Sequence, residues 1–292
     1  MSLVIAKLAV HAGAAPLSLL TLSMLGAGVV LLGKERWNQP APVLNRRVLE
    51  YGLVAGLLFA LPNAIGFLAV AHVGAGFLSL TFAFPILLTY ALALLLGMDR
   101  FHPRKALGVA LGLSGGCLLA LTKVSTADAP FFWVGLSSLS PILIALGNIY
   151  RTRRWPIGAS PTYLAAIMLL GGGLLLAPFS LAWSVSGLAA LFPSPTAWGL
   201  LVAQMALFSL LYSLYFLLQH LAGPVYLSQI GSVAAVIGGA IAINMLGETA
   251  PEHLLAAAGL IGCGTVLFQY QPGTPRSPSS EKRATARTQT PA

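Results

Sequence analysis

The sequence predicts an all-α polytopic membrane protein with about ten transmembrane helices, the first of them truncated, in two inverted five-helix repeats. Three observations predict it. Of 292 residues, 57% are hydrophobic and 8% charged, where a soluble domain carries about 25% charged residues; so little charge cannot solvate a globular surface. The apolar residues come in runs as long as the roughly 18–20 residues that cross about 30 Å of hydrocarbon as a helix, without the ten-residue alternation of a membrane β-barrel. The hydropathy of the first half returns in the second, 148 residues later.

In chain order, the apolar segments fall at roughly 2–12, 15–32, 47–70, 74–97, 104–122, 131–150, 160–180, 197–219, 223–246 and 253–270. The first supplies only about 17 Å of helix, half a bilayer; either the chain starts further upstream or the protein carries a half-helix. Lys34–Arg47 separates the second and third segments, Asp99–Lys105 the fourth and fifth, Arg151–Pro156 the sixth and seventh, and a Pro/Ser/Trp-containing stretch at 180–198 the seventh and eighth. Gly108, Gly112 and Gly116 in the fifth segment, and Gly259 and Gly262–Gly264 in the tenth, have the small-residue spacing that lets helix backbones approach closely in lipid. Residues 1–122 form the first repeat and 131–270 the second. The Pro/Ser/Thr/Arg-rich stretch 271–292 is too polar to bury and reads as a disordered tail.

The formal net charge of +9 raises nucleic acid as a partner, but its placement excludes that reading. Of the 16 Lys and Arg residues, all but Lys7 and Lys123 fall in alternate connections or the tail. The positive-inside bias makes those connections and the C-terminus cytoplasmic, in a multi-pass protein of a bacterial inner membrane. The two cysteines, Cys117 and Cys263, lie inside apolar segments, so no disulfide framework or Cys-rich metal site is available. No HEXXH or phosphate-loop motif occurs, and Gly171–Gly173 lack the Lys-Ser/Thr that a phosphate loop needs. The expectation is a non-enzyme without cofactor or metal, whose partners are a small-molecule substrate and the lipid bilayer, with a homodimer allowed.

The 148-residue shift places His72 on His220, Pro103 on Pro251, Gly116 on Gly264, Thr81 on Gln229, Phe84 on Ser232 and Phe67 on Tyr215. Five helices is an odd number, so the second copy enters the membrane upside down, the architecture that puts a binding site near the midplane between two halves.

Polar groups facing lipid cost free energy, so polar residues within spans face one another or a wet cavity. Gln204, Phe208, Tyr212, Tyr215 and Gln219 recur at steps of three and four residues on one face of the eighth segment. Tyr226, Gln229 and Ser232 do so on the ninth; Phe59, Asn63 and Phe67 mark the third, Thr81 and Phe84 the fourth, Pro141 and Asn148 the sixth. The candidate substrate-binding residues are therefore Asn63, Thr81, Phe84, Asn148, Gln204, Tyr212, Tyr215, Gln229 and Ser232; ordinary interhelical hydrogen bonding is the competing reading for the amides, and core packing for the aromatics. Pro62, Pro85 and Pro141 each remove a backbone donor inside a span and free a carbonyl. Lys7 serves either a substrate anion or the interface by snorkelling.

The stretch from His220 to Glu248, HLAGPVYLSQIGSVAAVIGGAIAINMLGE, followed by a proline and a Gly-rich segment, resembles the second repeat of EamA-like proteins of the drug/metabolite transporter superfamily. Its first-repeat counterpart is HVGAGFLSLTFAFPILLTYALALLLGMD. The resemblance implies a ten-helix basket with the third, fourth, eighth and ninth helices around a central cavity, the fifth and tenth packed outside, and export of amino acids or related amphipathic solutes by alternating access. Two features depart from the pattern: the acidic residue closing the fourth helix is Asp99 in a GMD triplet, and the first helix lacks a Trp-Gly pair. A membrane-embedded lipid-modifying enzyme or a non-transporting subunit is the alternative class.

Overall fold

Proline starts the helices of this chain and glycine ends several of them. In the computed structural model, which describes residues 2–38, 44–81, 84–125, 131–183, 195–227, 241 and 253–269, the helices are α1 (Ser2–His11), α2 (Pro16–Asn38), α3 (Arg46–Val73), α4 (Ala75–Thr81), α5 (Pro85–Leu95), α6 (Pro103–Ser125), α7 (Phe131–Arg153), α8 (Pro161–Trp183), α9 (Pro195–Leu227) and α10 (Leu254–Gln269). Five of them begin on proline, whose missing N–H costs nothing in a first turn and whose φ is already helical. Gly74 stops α3 at φ 84° while its N–H still bonds the Val70 carbonyl, a conformation that costs a residue with a Cβ. Gly223 breaks α9 in the same way, at φ 79° and ψ 178°. That break falls where the eighth segment was expected to give way to the ninth.

Among the described residues there is no strand, and five helices are long and apolar enough to cross a membrane: Pro16–Trp37, Arg46–Val73, Phe131–Arg153, Pro161–Ala182 and Pro195–Leu221. The expected fourth span, 74–97, is described as two short helices on either side of Pro85 rather than one. Proline at that position cannot bond the carbonyl one turn back, and the chain closes a tighter turn instead, from Phe84 N to Thr81 O at 3.2 Å. Pro62 and Pro141, by contrast, sit inside continuous helices. α1 is ten residues long, about 15 Å, the half-length expected of the first segment. The ninth segment and the 271–292 tail lie essentially outside the described residues.

Close contacts fix how the helices run. Gly28 of α2 meets Leu170 of α8, and Gly173 of α8 meets Leu25 of α2, so these helices are antiparallel. Gly52 and Gly56 of α3 meet Gly171 and Gly172 of α8 in parallel register. Gly108 of α6 opposes Gly264 of α10 so closely that a Cβ added to either would fall 2.6 Å from the partner carbonyl oxygen, while Gly115 opposes Ala257; this pair is antiparallel too, and Phe268 of α10 clusters with Ile86, Leu87 and Tyr90 of α5. The main core lies elsewhere, among α1, α2, α3, α8 and α9, around Leu19, Leu20, Met24, Tyr51, Phe67, Leu164, Phe208 and Phe216. Leucines cover the outside: Leu53, Leu57 and Leu61 on α3, and Leu210, Leu214, Leu217 and Leu221 on α9, are all exposed. The polar and aromatic positions of α9 point the other way, so the face read from three- and four-residue steps is the buried one.

The end of α2 and the start of α8 meet where the Ser160 hydroxyl, which caps α8 by accepting from Tyr163 N at 3.1 Å, donates to the Glu35 carboxylate. Tyr51 near the start of α3 stacks on Tyr150 near the end of α7, centroids 6.0 Å apart. At the opposite end of the bundle, His72 of α3 stacks on Trp133 of α7 at 4.5 Å. The basic connections after α2 and α7 therefore share one face.

Candidate functional site

The most densely bonded polar assembly among the described residues joins the last turns of α7 to α9. Asn148 and Arg151 are one turn apart on α7; Tyr215 and Gln219 are one turn apart on α9. The Asn148 Oδ1 accepts from Arg151 Nη2 at 2.6 Å and from the Tyr215 hydroxyl at 2.7 Å, and Arg151 Nη2 also donates to the Tyr215 oxygen at 3.1 Å. Arg151 Nε donates to Gln219 Oε1 at 3.2 Å. Gln219 Nε2 in turn donates to the Asn148 carbonyl at 3.1 Å and to Thr152 Oγ1 at 3.0 Å. On the far side, Asn148 Nδ2 reaches Thr89 Oγ1 of α5 at 3.4 Å. Three helices thus share one network.

Arg151 is the unexpected member. The sequence places it with the loop charges of the 151–156 turn, yet it lies within α7 and is only 3% exposed. Its direction follows from helix geometry: side chains lean toward the N-terminus of their helix, so an arginine in the last turn of α7 leans into the bundle rather than out toward water. The guanidinium lies within 5.4 Å of the Tyr215 ring centroid and 5.9 Å of that of Phe216. Among the described residues its Nη1 finds only the Met168 thioether, at 3.8 Å. Met168 is seven residues into α8, about 10 Å below its start.

No carboxylate among the described residues pairs with this cation. Asp99 is taken by Lys105 at 3.0 Å, Glu35 by Ser160, and Glu50 is exposed. Burying a charge costs several kcal/mol even after relaxation, about as much as a few charge-assisted hydrogen bonds of roughly 1.5–3 kcal/mol return. The negative end of α7 adds at most about 2 kcal/mol. Neutral acceptors hold the guanidinium in place, but the network keeps a net positive charge.

From this network an aromatic strip follows α9 into the bundle. Tyr212 lies edge-on to Tyr215 at 5.8 Å, to Phe208 at 5.3 Å and to Phe59 of α3 at 4.6 Å. Beyond it the buried Gln204 donates to Ser2 Oγ of α1 at 2.5 Å, leaving its Oε1 without a partner among the described residues.

Of the expected site residues, the structure brings together Asn148, Tyr212 and Tyr215, and sets Gln204 on the same face of α9. Asn63 bonds within its own helix, to the Phe59 carbonyl at 2.8 Å. Thr81 likewise turns back on Leu78 O at 2.7 Å. Phe84 packs with Ile86, Leu87, Tyr90 and Phe268 instead of with the network. Gln229 and Ser232 lie outside the described residues. Thr89, Arg151 and Gln219 join the network without having been on the candidate list, although Gln219 shares the α9 face read from the sequence. The network also sits toward the basic face rather than at the midplane.

Comparison with known proteins adds the fold alone. No family model and no curated protein matches the chain. A solved crystal structure with 18% sequence identity superposes with a TM-score of 0.66 over 92% of this chain and 94% of that one. The same overall fold therefore exists in a second, distantly similar sequence.

Proposed function

We propose that the chain is a bacterial inner-membrane transporter of the EamA-like type, of the drug/metabolite transporter superfamily, which exports small amphipathic metabolites by alternating access. The observation that carries this reading is the polar and aromatic line from Gln204 to Arg151 inside a bundle jacketed by leucine. A membrane helix pair held together for stability alone has no need of a buried cation; intramembrane ionisable groups are expensive and mark solute paths.

The inverted ten-helix repeat belongs to the same proposal. Two antiparallel pairs, α2 with α8 and α6 with α10, are the self-pairs that a two-fold axis in the membrane plane would produce. The repeat-related His72 and His220 fall against Trp133, in the first turn of α7, and Trp155, two residues past its end, at 4.5 and 5.0 Å. An upside-down second copy requires that separation.

The test is solute counterflow. Purified protein in sealed proteoliposomes, preloaded with a mixture of unlabelled amino acids and organic acids, should accumulate at least one labelled member of the mixture above protein-free vesicles. Absence of flux for every member, with the protein folded and correctly inserted, overturns the transporter reading.

A further inference from the structure

We propose that Arg151 and Tyr51 form the head-group site of this path, and that it takes the carboxylate of an amphipathic monoanion. The proposal rests on the transporter reading for its biological use, but not for its chemistry. Two donors are left over in the network. Among the described residues Arg151 Nη1 has only the Met168 sulfur, a weak acceptor. The Tyr51 hydroxyl is buried and has no hydrogen-bond partner among the described residues, in a residue 1% exposed; Tyr51 stacks on Tyr150, next to Arg151 in the chain, and Gly52 packs on Ile167, next to Met168. A buried hydroxyl without a partner costs about as much as the hydrogen bond it lacks. Its retention beside an unpaired cation is what a missing acceptor would explain.

The missing acceptor is defined by its complement. One unbalanced positive charge matches one negative charge; a phosphate dianion would leave the site negative. A carboxylate offers two oxygens, one for Nη1 and one for the Tyr51 hydroxyl, without disturbing the bonds of Nη2 and Nε to Asn148, Tyr215 and Gln219. It enters by displacing the Met168 thioether, and methionine is the apolar side chain most easily moved aside. Gly147 keeps the approach open: a Cβ there would come within 3.2 Å of Nη1. The rings of Tyr212, Phe59 and Phe208 then cover the apolar body of the ligand deeper in the bundle.

Saturable binding of labelled 3-phenylpropanoate to the full chain in phosphatidylcholine nanodiscs tests this, with 3-phenylpropanamide, 3-phenylpropylamine and inorganic phosphate as competitors. Unlabelled acid should displace the label and the other three should not. Tyr51→Phe removes only a buried hydroxyl that bonds nothing in the empty site, so it should match or exceed the parental melting temperature while weakening binding at least about tenfold, the loss of one hydrogen bond to a charged group. Arg151→Lys keeps the charge but loses the fork, and should bind more weakly than the parent but still prefer acid over amide. Equal displacement by acid and amide, no saturable binding, or parental affinity in Tyr51→Phe overturns the proposal. Abolition of binding on adding phosphatidylglycerol to the nanodiscs overturns it in favour of a lipid head group. Binding with these properties but no counterflow would instead overturn the transporter reading and leave the site standing.

Discussion

Adding one methyl group to Gly56 should push two membrane helices apart. A Cβ at Gly56 would overlap the Gly172 backbone nitrogen and come within 2.9 Å of both the Gly171 carbonyl carbon and the Met168 carbonyl oxygen, where ordinary contacts run 3.4–4 Å. All three neighbours are backbone atoms, so no side chain can swing aside, and α3 and α8 must separate by about 0.5 Å or more. A gap of 0.5–1 Å forfeits roughly a quarter to a half of each dispersion contact along the seam, and overpacking of this kind costs about 1–3 kcal/mol. In lipid no hydrophobic force holds the helices together to compensate. Alanine returns roughly 0.5–1 kcal/mol of helix propensity, so Gly56→Ala should destabilise by about 1 kcal/mol net. The matched control is Gly259→Ala on α10, where nothing lies within 4 Å of the new Cβ; only the propensity gain applies, and the variant should be stabilised by about 0.5–1 kcal/mol. Unfolding both variants by titrating sodium dodecyl sulfate into mixed micelles measures the difference. A Gly56→Ala protein within about 0.5 kcal/mol of the parent would refute the packing argument.

Three further outcomes are expected. Tyr215→Phe deletes the hydroxyl that donates to Asn148 and accepts from Arg151 and should destabilise by about 1–2 kcal/mol in the same titration; a neutral result would mean the network does not persist in micelles. Replacing Arg151 by Met removes the buried charge with little change of volume, so stability should move by less than about 1 kcal/mol, because relief of desolvation offsets the lost hydrogen bonds; a collapse of the fold would show that the cation is structural. Single cysteines at the exposed positions Arg36 and Arg153 should react with an impermeant maleimide only from the cytoplasmic side, and one at Phe131, also exposed, only from the outer side; the reverse pattern would invert the topology.

The helical membrane character was legible because it rests on quantities that survive averaging: run length, charge depletion and the three- and four-residue steps that put Gln204, Phe208, Tyr212, Tyr215 and Gln219 on one buried face. Pro85 was legible as a lost donor, but whether a proline divides a span depends on what lies beside it; Pro62 and Pro141 carry the same chemistry inside continuous helices. The site was half legible. Asn148 and Tyr215 stand out as polar groups in apolar surroundings, and their partnership requires knowing that α7 and α9 lie side by side. Arg151 was hidden by its neighbours Arg153 and Arg154, because a basic residue at a helix end reads as a loop charge. The signal that could have found it is the tendency of helical side chains to lean toward the N-terminus, which sends Arg151 inward from the last turn of α7. Thr81 and Asn63 turn back on their own helices, a local option that competes with any polar partner across the bundle.

The account stands on the network linking α7 to α9 being part of a solute path. Its most direct test is the initial counterflow rate of the parent beside an Asn148→Leu, Gln219→Leu double variant, reconstituted at equal density and checked for the same cysteine accessibility. Interhelical hydrogen bonds in membranes contribute about 0.6 kcal/mol each on average, so the double variant is less stable than the parent, and the accessibility check restricts the comparison to protein that still folds and inserts. Removing both amides takes the two oxygens that orient Arg151, and the rate should fall at least about tenfold. A double variant that inserts normally and carries solute at the parental rate would contradict the account.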